Sequence, residues 1–383
     1  MRFDAIVASF ADRVAEGAGE RNAPAVNSRI MSNLLKRLDA NPLITPDVIG
    51  PSRPDFEVVC TLNPAAIRVG EETLLLVRVG ERPIAEAGEV ATVLFDADAG
   101  EPKIIRLRRD DPDLDARDPR AVTYKGEGLL TSLSHIRVAR SRDGIHFRFD
   151  PSPAIFPSEP SEAYGCEDPR VVCLDGRYYV QYVIASTLGV GTSLAVTDDF
   201  RTFQKLGIIF PPPWNKDVAI FPEKVGGSYV CRHRPYKGYL NRPSIWTAYS
   251  PDLLCWGRHG ATLSPKPGTW QGERVGSGAP PIRTDAGWLD IYHGADESGR
   301  YCLGAMLTDL ERPERLICHS SRPVLEPQAD YERTGFYGNC VFSNGLVALP
   351  DGTLTVYYGA ADRICAAAVT TVEEMIAAAR DEL

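Results

Sequence analysis

One short unit returns five times along this chain, and that return limits the fold more than any other feature. The unit opens on a turn with a proline or small residue, enters a strand, makes a hairpin and leaves on an aromatic or β-branched strand. It reads at Leu62–Ala66 with Leu74–Val79, at Glu167–Val172 with Tyr178–Val183, at Asp217–Phe221 with Tyr229–His233, at Gly278–Ile282 with Trp288–His293, and at Asn339–Ser343 with Thr353–Tyr358. The 30 prolines and 33 glycines are spread along the sequence and cut it into short β-rich runs, the pattern of many strands joined by turns.

A further strand follows four of these hairpins: Ile136–Ala139, Leu194–Val196, Ile245–Ala248 and Leu303–Met306. Each runs into a turn, at Ser141-Arg142-Asp143-Gly144, Thr197-Asp198-Asp199, Ser250-Pro251-Asp252 and Thr308-Asp309-Leu310, where Ser, Thr and Asp oxygens accept bonds from the backbone two residues on. From Thr197 the turns recur roughly every 50 to 60 residues, the length of a four-stranded blade with its loops. The fold predicted is all-β, a five-bladed β-propeller over residues 41–371; a large β-sandwich is the alternative. Outside the repeat, Ser28–Leu38 carries Ile30, Leu34, Leu35 and Leu38 on one helical face, which predicts an N-terminal helical extension over 1–40, and 372–383 predicts a C-terminal helix. Such helices suit either a cover over an open end of the propeller or a homo-oligomer contact. The Asp-, Arg- and Pro-rich stretch Ala97–Arg120 reads as a long loop or insertion in the first blade.

With 383 residues the chain exceeds the ~250–300 at which single cores stop growing, so it needs two domains or a repeat. Its formal net charge of −9 argues against wrapping nucleic acid or lying on an anionic membrane. No apolar run approaches the roughly 20 residues that span a bilayer, and the first residues lack a secretory pattern, so a cytoplasmic enzyme is predicted. The nine cysteines are scattered, with no Cys-x-x-Cys, and read as reduced thiols.

Blades of a propeller begin with the innermost strand, so polar residues at the repeat starts converge on one channel. These are Asn63, Glu167-Asp168, Lys216-Asp217, Gly276-Ser277 and Asn339. Glu167-Asp168-Pro169-Arg170 stands out, because an acid pair before a strand-starting proline holds a carboxyl group rigidly; an Asx turn capped by Asp168 explains it equally well. A basic set, Lys216, Arg232-His233-Arg234, Arg274 and His293, falls on the third and fourth repeats. It forms either one cationic wall suited to phosphate or sulfate, or unrelated salt bridges. Phosphate-loop, dinucleotide, His-Glu-x-x-His and Gly-x-Ser-x-Gly signatures are absent.

At these positions the chain resembles glycoside hydrolase family 130, the β-mannoside phosphorylases with a minority of hydrolases. The resemblance rests on Thr61–Ala66, Gly165–Arg170, Lys216–Lys224, His233-Arg234-Pro235, Tyr292–Ala295 and Tyr357–Asp362, and covers roughly Asn41 to Thr371. It implies a five-bladed propeller. It makes Asp168 the catalytic acid, sets Lys216, Arg234, Arg274 and His293 around phosphate, and gives Asn63, Arg78 and Asp362 to the sugars, with Asp217 toward the acceptor side. It further implies that the proton passes from Asp168 through a mannose hydroxyl.

An inverting glycosidase needs an acid and a second carboxylate that activates water. Phosphate is already an anionic nucleophile, so a phosphorylase needs the acid and a cationic pocket. The function predicted is therefore an inverting β-mannoside phosphorylase, converting β-1,2- or β-1,4-linked mannobiose or manno-oligosaccharides to α-mannose 1-phosphate and a shortened acceptor. Inorganic phosphate is its co-substrate, and no cofactor or metal is predicted. The alternatives are an inverting β-mannosidase, with Glu223 or Glu273 as base, and a non-catalytic sugar-binding propeller. Leu130–His135 favours the β-1,2 linkage by resemblance.

Overall fold

A computed structural model describes residues 34–235 and 241–382. Within them the protein is nearly all β, with α-helices at Asp330–Arg333 and Val372–Ala379. The five sequence repeats become five antiparallel meanders. The first runs through Phe56–Val69, Glu72–Pro83 and Leu133–Ser141, with Arg148–Phe149 at its edge; the second through Gly165–Leu174, Arg177–Ser186, Gly189–Thr197 and Gln204–Phe210. The third holds Asn215–Ile220, Tyr229–Pro235, Ile245–Ser250 and Gly257–Leu263. Arg274–Ser277, Gly287–Ala295, Tyr301–Thr308 and Leu316–His319 make the fourth, with Ile282–Thr284 pairing beside them. The fifth is Val341–Ala348, Thr353–Ala360 and Ile364–Thr371, completed by Lys36–Arg37 from the other end of the chain.

The first two meanders merge into one eight-stranded sheet through a parallel pairing of Gly165 with Ser134. Gly165 has φ 128°, and an added Cβ would lie 2.7 Å from the Ser134 backbone, so only glycine allows this approach. Apolar faces then stack in chain order. Leu74, Leu76 and Ile136 of the first meander meet Val180 and Ile184 of the second. Val172 and Leu194 meet Val218 and Ile220; Ile245 and Leu263 meet Val275 and Tyr292; Leu303 and Leu307 meet Val341 and Val356. Cys365 and Ala367 of the fifth return to Leu75 and Val77 of the first.

The turns form as read. Asp143, Asp199 and Asp252 each accept two backbone N–H groups, such as Ile145 and His146 at 2.9 Å, while Ser141, Thr197 and Ser250 each accept one more three residues on. Asp309 binds Glu311 and Arg312 in the same way. The Asp175-Gly176 hairpin has φ of 51° and 78°, the paired positive values of a type I′ turn.

Two expectations change. Ser28–Leu38 was assigned to a helix; residues 28–33 lie outside the described part, and Lys36–Arg37 is a strand on Ile364–Thr371. Its apolar residues serve two cores, Leu35 against the fourth and fifth meanders and Leu38 against the first and fifth, which one helical face does not reach. The stretch Ala97–Arg120, read as a long loop or insertion, narrows to the second: it is part of an ordered insertion. Glu89–Asp96 and Glu101–Arg108 form a hairpin, and Leu114–Asp115, Ala121–Tyr124 and Glu127–Leu130 form a three-stranded sheet. Val90, Leu107 and Val122 give the insertion a small core of its own. The C-terminal helix forms over Val372–Ala379, with a capping box between Thr371 and Glu374, and buries Met375, Ala378 and Ala379 against the same body.

Candidate active site

Three inner strands share one irregularity. Register slips between Leu62 and Ala65, Glu167 and Arg170, and Lys216 and Ala219, and the slips place Asn63, Asp168 and Asp217 at φ of 46°, 46° and 56°. Asn and Asp tolerate left-handed backbone better than other non-glycine residues, and a bulge re-aims the side chain it carries. The Asx residues that open three repeats therefore answer a backbone need, and the result is three polar side chains turned to one cavity of roughly 350 Å³.

Eight of the nine predicted site residues line this cavity: Asn63, Arg78, Asp168, Lys216, Asp217, Arg234, Arg274 and Asp362. Asp168 Oδ1 accepts from Asn63 Nδ2 at 2.9 Å and from an Arg78 amine at 3.0 Å. Its Oδ2 has no hydrogen bond among the described residues. Burial pushes the Asp168 carboxyl up, but Arg78, Lys216 and the Asn63 bond outweigh it and hold the group below its ordinary value. Arg78 also grips Glu167 at 2.8 Å and Ser134 at 3.1 Å, so its fork is fixed before any ligand enters.

Asp362 differs from Asp168. It makes no hydrogen bond or ion pair among the described residues, and burial together with the neighbouring Asp168 charge raises it to about 6, against the pull of Arg78 and Arg120.

Further cations line the same cavity. Lys216 Nζ lies 4.0 Å from Glu167 and over the Trp214 ring; Arg274 is 3.9 Å from Glu273 and donates to Tyr301 at 3.1 Å. These are loose pairings, and the Arg274 Nε has no partner among the described residues. Arg234 is tighter, 2.5 Å from Asp217. Asp217 is buried between Arg234, Arg170 at 3.3 Å and His293 at 3.4 Å, and burial is overcome so far that its carboxyl sits well below the usual range. It thus sits among the basic side chains of the cavity.

His293 is the ninth residue and does not line the cavity. It is fully buried behind Asp217, against Phe342 with ring centroids 4.3 Å apart, and burial lowers it toward the neutral form. Gly276 makes room for it, since a Cβ there would strike both His293 and Asp217. The rest of the basic set disperses. Strand alternation turns His233 to Asn215 and His259. Arg232, two residues further from the cavity than Arg234, is paired with Asp290 at 3.0 Å in the fully buried interior. Neither Gly276, Ser277 nor Asn339 lines the cavity, and Glu167 lines a neighbouring one. The two candidate bases of the hydrolase reading are also outside it: Glu223 pairs with Arg283 at the surface and Glu273 lies beside Arg242 and Arg274.

Sequence reading missed Arg170 as a builder of the site. Its buried guanidinium donates to Gly278 and Ser277 carbonyls at 2.8 Å and reaches the Asp168 carbonyl at 3.4 Å and Asp217, tying three inner strands beneath the cavity. It also missed Tyr337 and Phe342 on the cavity wall, although they flank the start of the fifth repeat.

Comparison with known proteins places these features in company. The family model for glycoside hydrolase family 130, described as β-1,4-mannooligosaccharide phosphorylase, matches residues 117–381. A β-1,2-mannobiose phosphorylase of Listeria innocua is 41% identical over 345 residues, covering 89% of this chain and 97% of its own. A 1,2-β-oligomannan phosphorylase of Thermoanaerobacter is 39% identical over 251 residues, 63% of this chain and 80% of its own. The solved structure of the Listeria innocua β-1,2-mannobiose phosphorylase with β-1,2-mannobiose superposes with a TM-score of 0.86 at 39% identity, covering 91% of this chain and 99% of that one.

Proposed function

The chain belongs to glycoside hydrolase family 130 and is a β-mannoside phosphorylase, and we propose that it cleaves β-1,2-linked mannobiose or manno-oligosaccharide with Asp168 as acid and phosphate held by Lys216, Arg234 and Arg274. The observation that carries the reading is the company kept in one cavity: a carboxylate with one unengaged oxygen beside the loosely paired cations Lys216 and Arg274. Asn63, Arg78 and Asp362 hold the mannose between them, and His293 supports the cationic wall from beneath through Asp217.

A phosphate oxygen attacks the anomeric carbon from the cationic side. The bond to the leaving oxygen breaks on the far side, its electron pair stays on that oxygen, and the proton supplied by Asp168, passed through a mannose hydroxyl, neutralises it. Inversion of a β-mannoside gives α-mannose 1-phosphate. Asp168 must carry that proton, yet Arg78, Lys216 and the Asn63 bond hold its carboxyl below the ordinary value. A phosphate anion paired with Lys216 offsets that cation's pull and moves Asp168 back toward the acid form.

Against the hydrolase reading, its candidate bases Glu223 and Glu273 lie outside the cavity, and Asp217, which lines it, is clamped by Arg170 and Arg234 and is a poor proton acceptor. A five-bladed propeller is the architecture we assign, supported by five meanders that stack in order with the fifth on the first. No helix among the described residues is long and apolar enough to cross a membrane. Nine unpaired thiols support a reducing, cytoplasmic site of action. The β-1,2 preference rests on the names of the two relatives. Incubation with β-1,2- and β-1,4-mannobiose, each with and without inorganic phosphate, tests the whole reading. Mannose 1-phosphate should form from the β-1,2 substrate only when phosphate is present; equal release of free mannose without phosphate would overturn it.

A further inference from the structure

Phosphate and the leaving sugar must lie on opposite faces of the anomeric carbon. With phosphate against Lys216, Arg234 and Arg274 and the mannose held at Arg78 and Asp362, the leaving unit lies beyond those two residues. A second cavity of roughly 160 Å³ opens there, sharing Arg78 and Asp362 with the first. Its outer wall comes from the insertion, through Arg120, Thr131 and Ser132, and from Phe336. Arg120 and Phe336 also line a wide surface groove along the insertion, so the groove adjoins the second cavity at these two side chains.

The insertion carries its own core around Val90, Leu107 and Val122, and Phe95 anchors it to Ala163 by a 2.7 Å backbone bond. Arg120 turns one edge of its guanidinium to Asp118, at 2.9 and 3.1 Å, and lies 5.9 Å from the Tyr337 ring. The nitrogens of its other edge keep donor capacity for a hydroxyl group.

We infer that Arg120 and Phe336 form a subsite for a second acceptor unit, so that this protein degrades chains of three or more mannose units and Arg120 determines that length preference. The inference rests on the phosphorylase reading above. The insertion is then the part of the chain that sets which oligomer is used, while the repeat sets the reaction.

The test compares kcat/KM for phosphate-dependent cleavage of β-1,2-mannobiose and β-1,2-mannotriose by the wild type, Arg120→Ala and Phe336→Ala, with a thermal melt of each. The wild type should use mannotriose at least as well as mannobiose. Each variant should lose about tenfold more on mannotriose than on mannobiose, the scale of one hydrogen bond to a charged group for Arg120. An equal loss on both substrates, or a wild type that cleaves mannobiose and not mannotriose, would overturn the subsite while leaving the phosphorylase reading standing. Cleavage of neither substrate would overturn that reading, and the subsite with it.

Discussion

Two sets of buried carboxylates sit in this protein, and they are built differently. Glu332, before the fifth inner strand, accepts from Arg37 at 2.7 and 2.8 Å, from Tyr358 at 2.8 Å and from the Gln328 and Ala329 backbone at 2.7 and 2.9 Å. Glu162, at the same place before the second, accepts from Lys205 at 2.5 Å, Tyr182 at 2.9 Å and the Ser158 backbone at 2.8 Å. Asp168 and Asp362, a few residues into the strands or past them, keep an oxygen or the whole group unengaged toward the cavity. A buried carboxylate with its lone pairs filled joins segments. One left short of partners has capacity for a ligand or a proton, and the surrounding structure bears the cost.

The sharpest way to break this contrast is Asp168→Asn. The amide keeps the shape and the bond from Arg78 but delivers no proton, so turnover at saturating mannobiose and phosphate should fall ~10²–10⁴-fold, the worth of general acid catalysis. Its melting temperature should stay within a few degrees of the wild type. Activity within a few fold would reduce Asp168 to a turn cap.

Glu332→Ala should behave in the opposite sense. It takes from Arg37 its carboxylate partner, leaving the bond to the Glu326 carbonyl, and leaves the buried Tyr358 hydroxyl without its acceptor, a loss of about 3–5 kcal/mol for a broken buried pair. Denaturant melts should show that loss, while turnover per folded molecule is unchanged. A fall in turnover without a fall in stability would erase the distinction between the two sets.

The smallest effect concerns pH. Asp362, raised to about 6, is protonated below that pH and ionised above it. An ionised carboxylate accepts stronger hydrogen bonds from sugar hydroxyls. The KM for mannobiose should therefore fall several-fold as pH rises through about 6, and Asp362→Asn should flatten the curve. For stability the sign is reversed: because the folded value lies above the unfolded one, this group's contribution is fully present below about pH 4 and is lost as pH rises through about 6. A KM profile unchanged by the Asn variant would detach Asp362 from the sugar.

Local patterns carried much of this into the sequence. The Asp143, Asp199 and Asp252 turns formed as read because an Asx or Ser/Thr turn closes within four residues and needs no distant partner. Asp168 and Lys216 were legible because the repeat register placed them at equivalent strand starts. Lys36–Arg37 was misread because apolar spacing over so short a segment fits a helix, whereas its real partner, Ile364–Thr371, is at the other end of the chain. The insertion was legible but its strands were not, because segments such as Glu101–Arg108, exposed along much of their length, are rich in charge and look like loop.

The sequence by itself determined the repeat, its turns, and which side chains stand at each strand start, since these follow from backbone preferences acting over a few residues. Which of those side chains meet was decided only by the tertiary structure. Arg232 and Arg234 lie two residues apart on one strand, yet one closes a buried pair with Asp290 and the other faces the cavity through Asp217. His293 was drawn behind Asp217 by the absence of a side chain at Gly276 on the neighbouring strand. The physical reason is that strand alternation chooses a face, but the sheet stacked against that face decides whether it is core, ion pair or binding site.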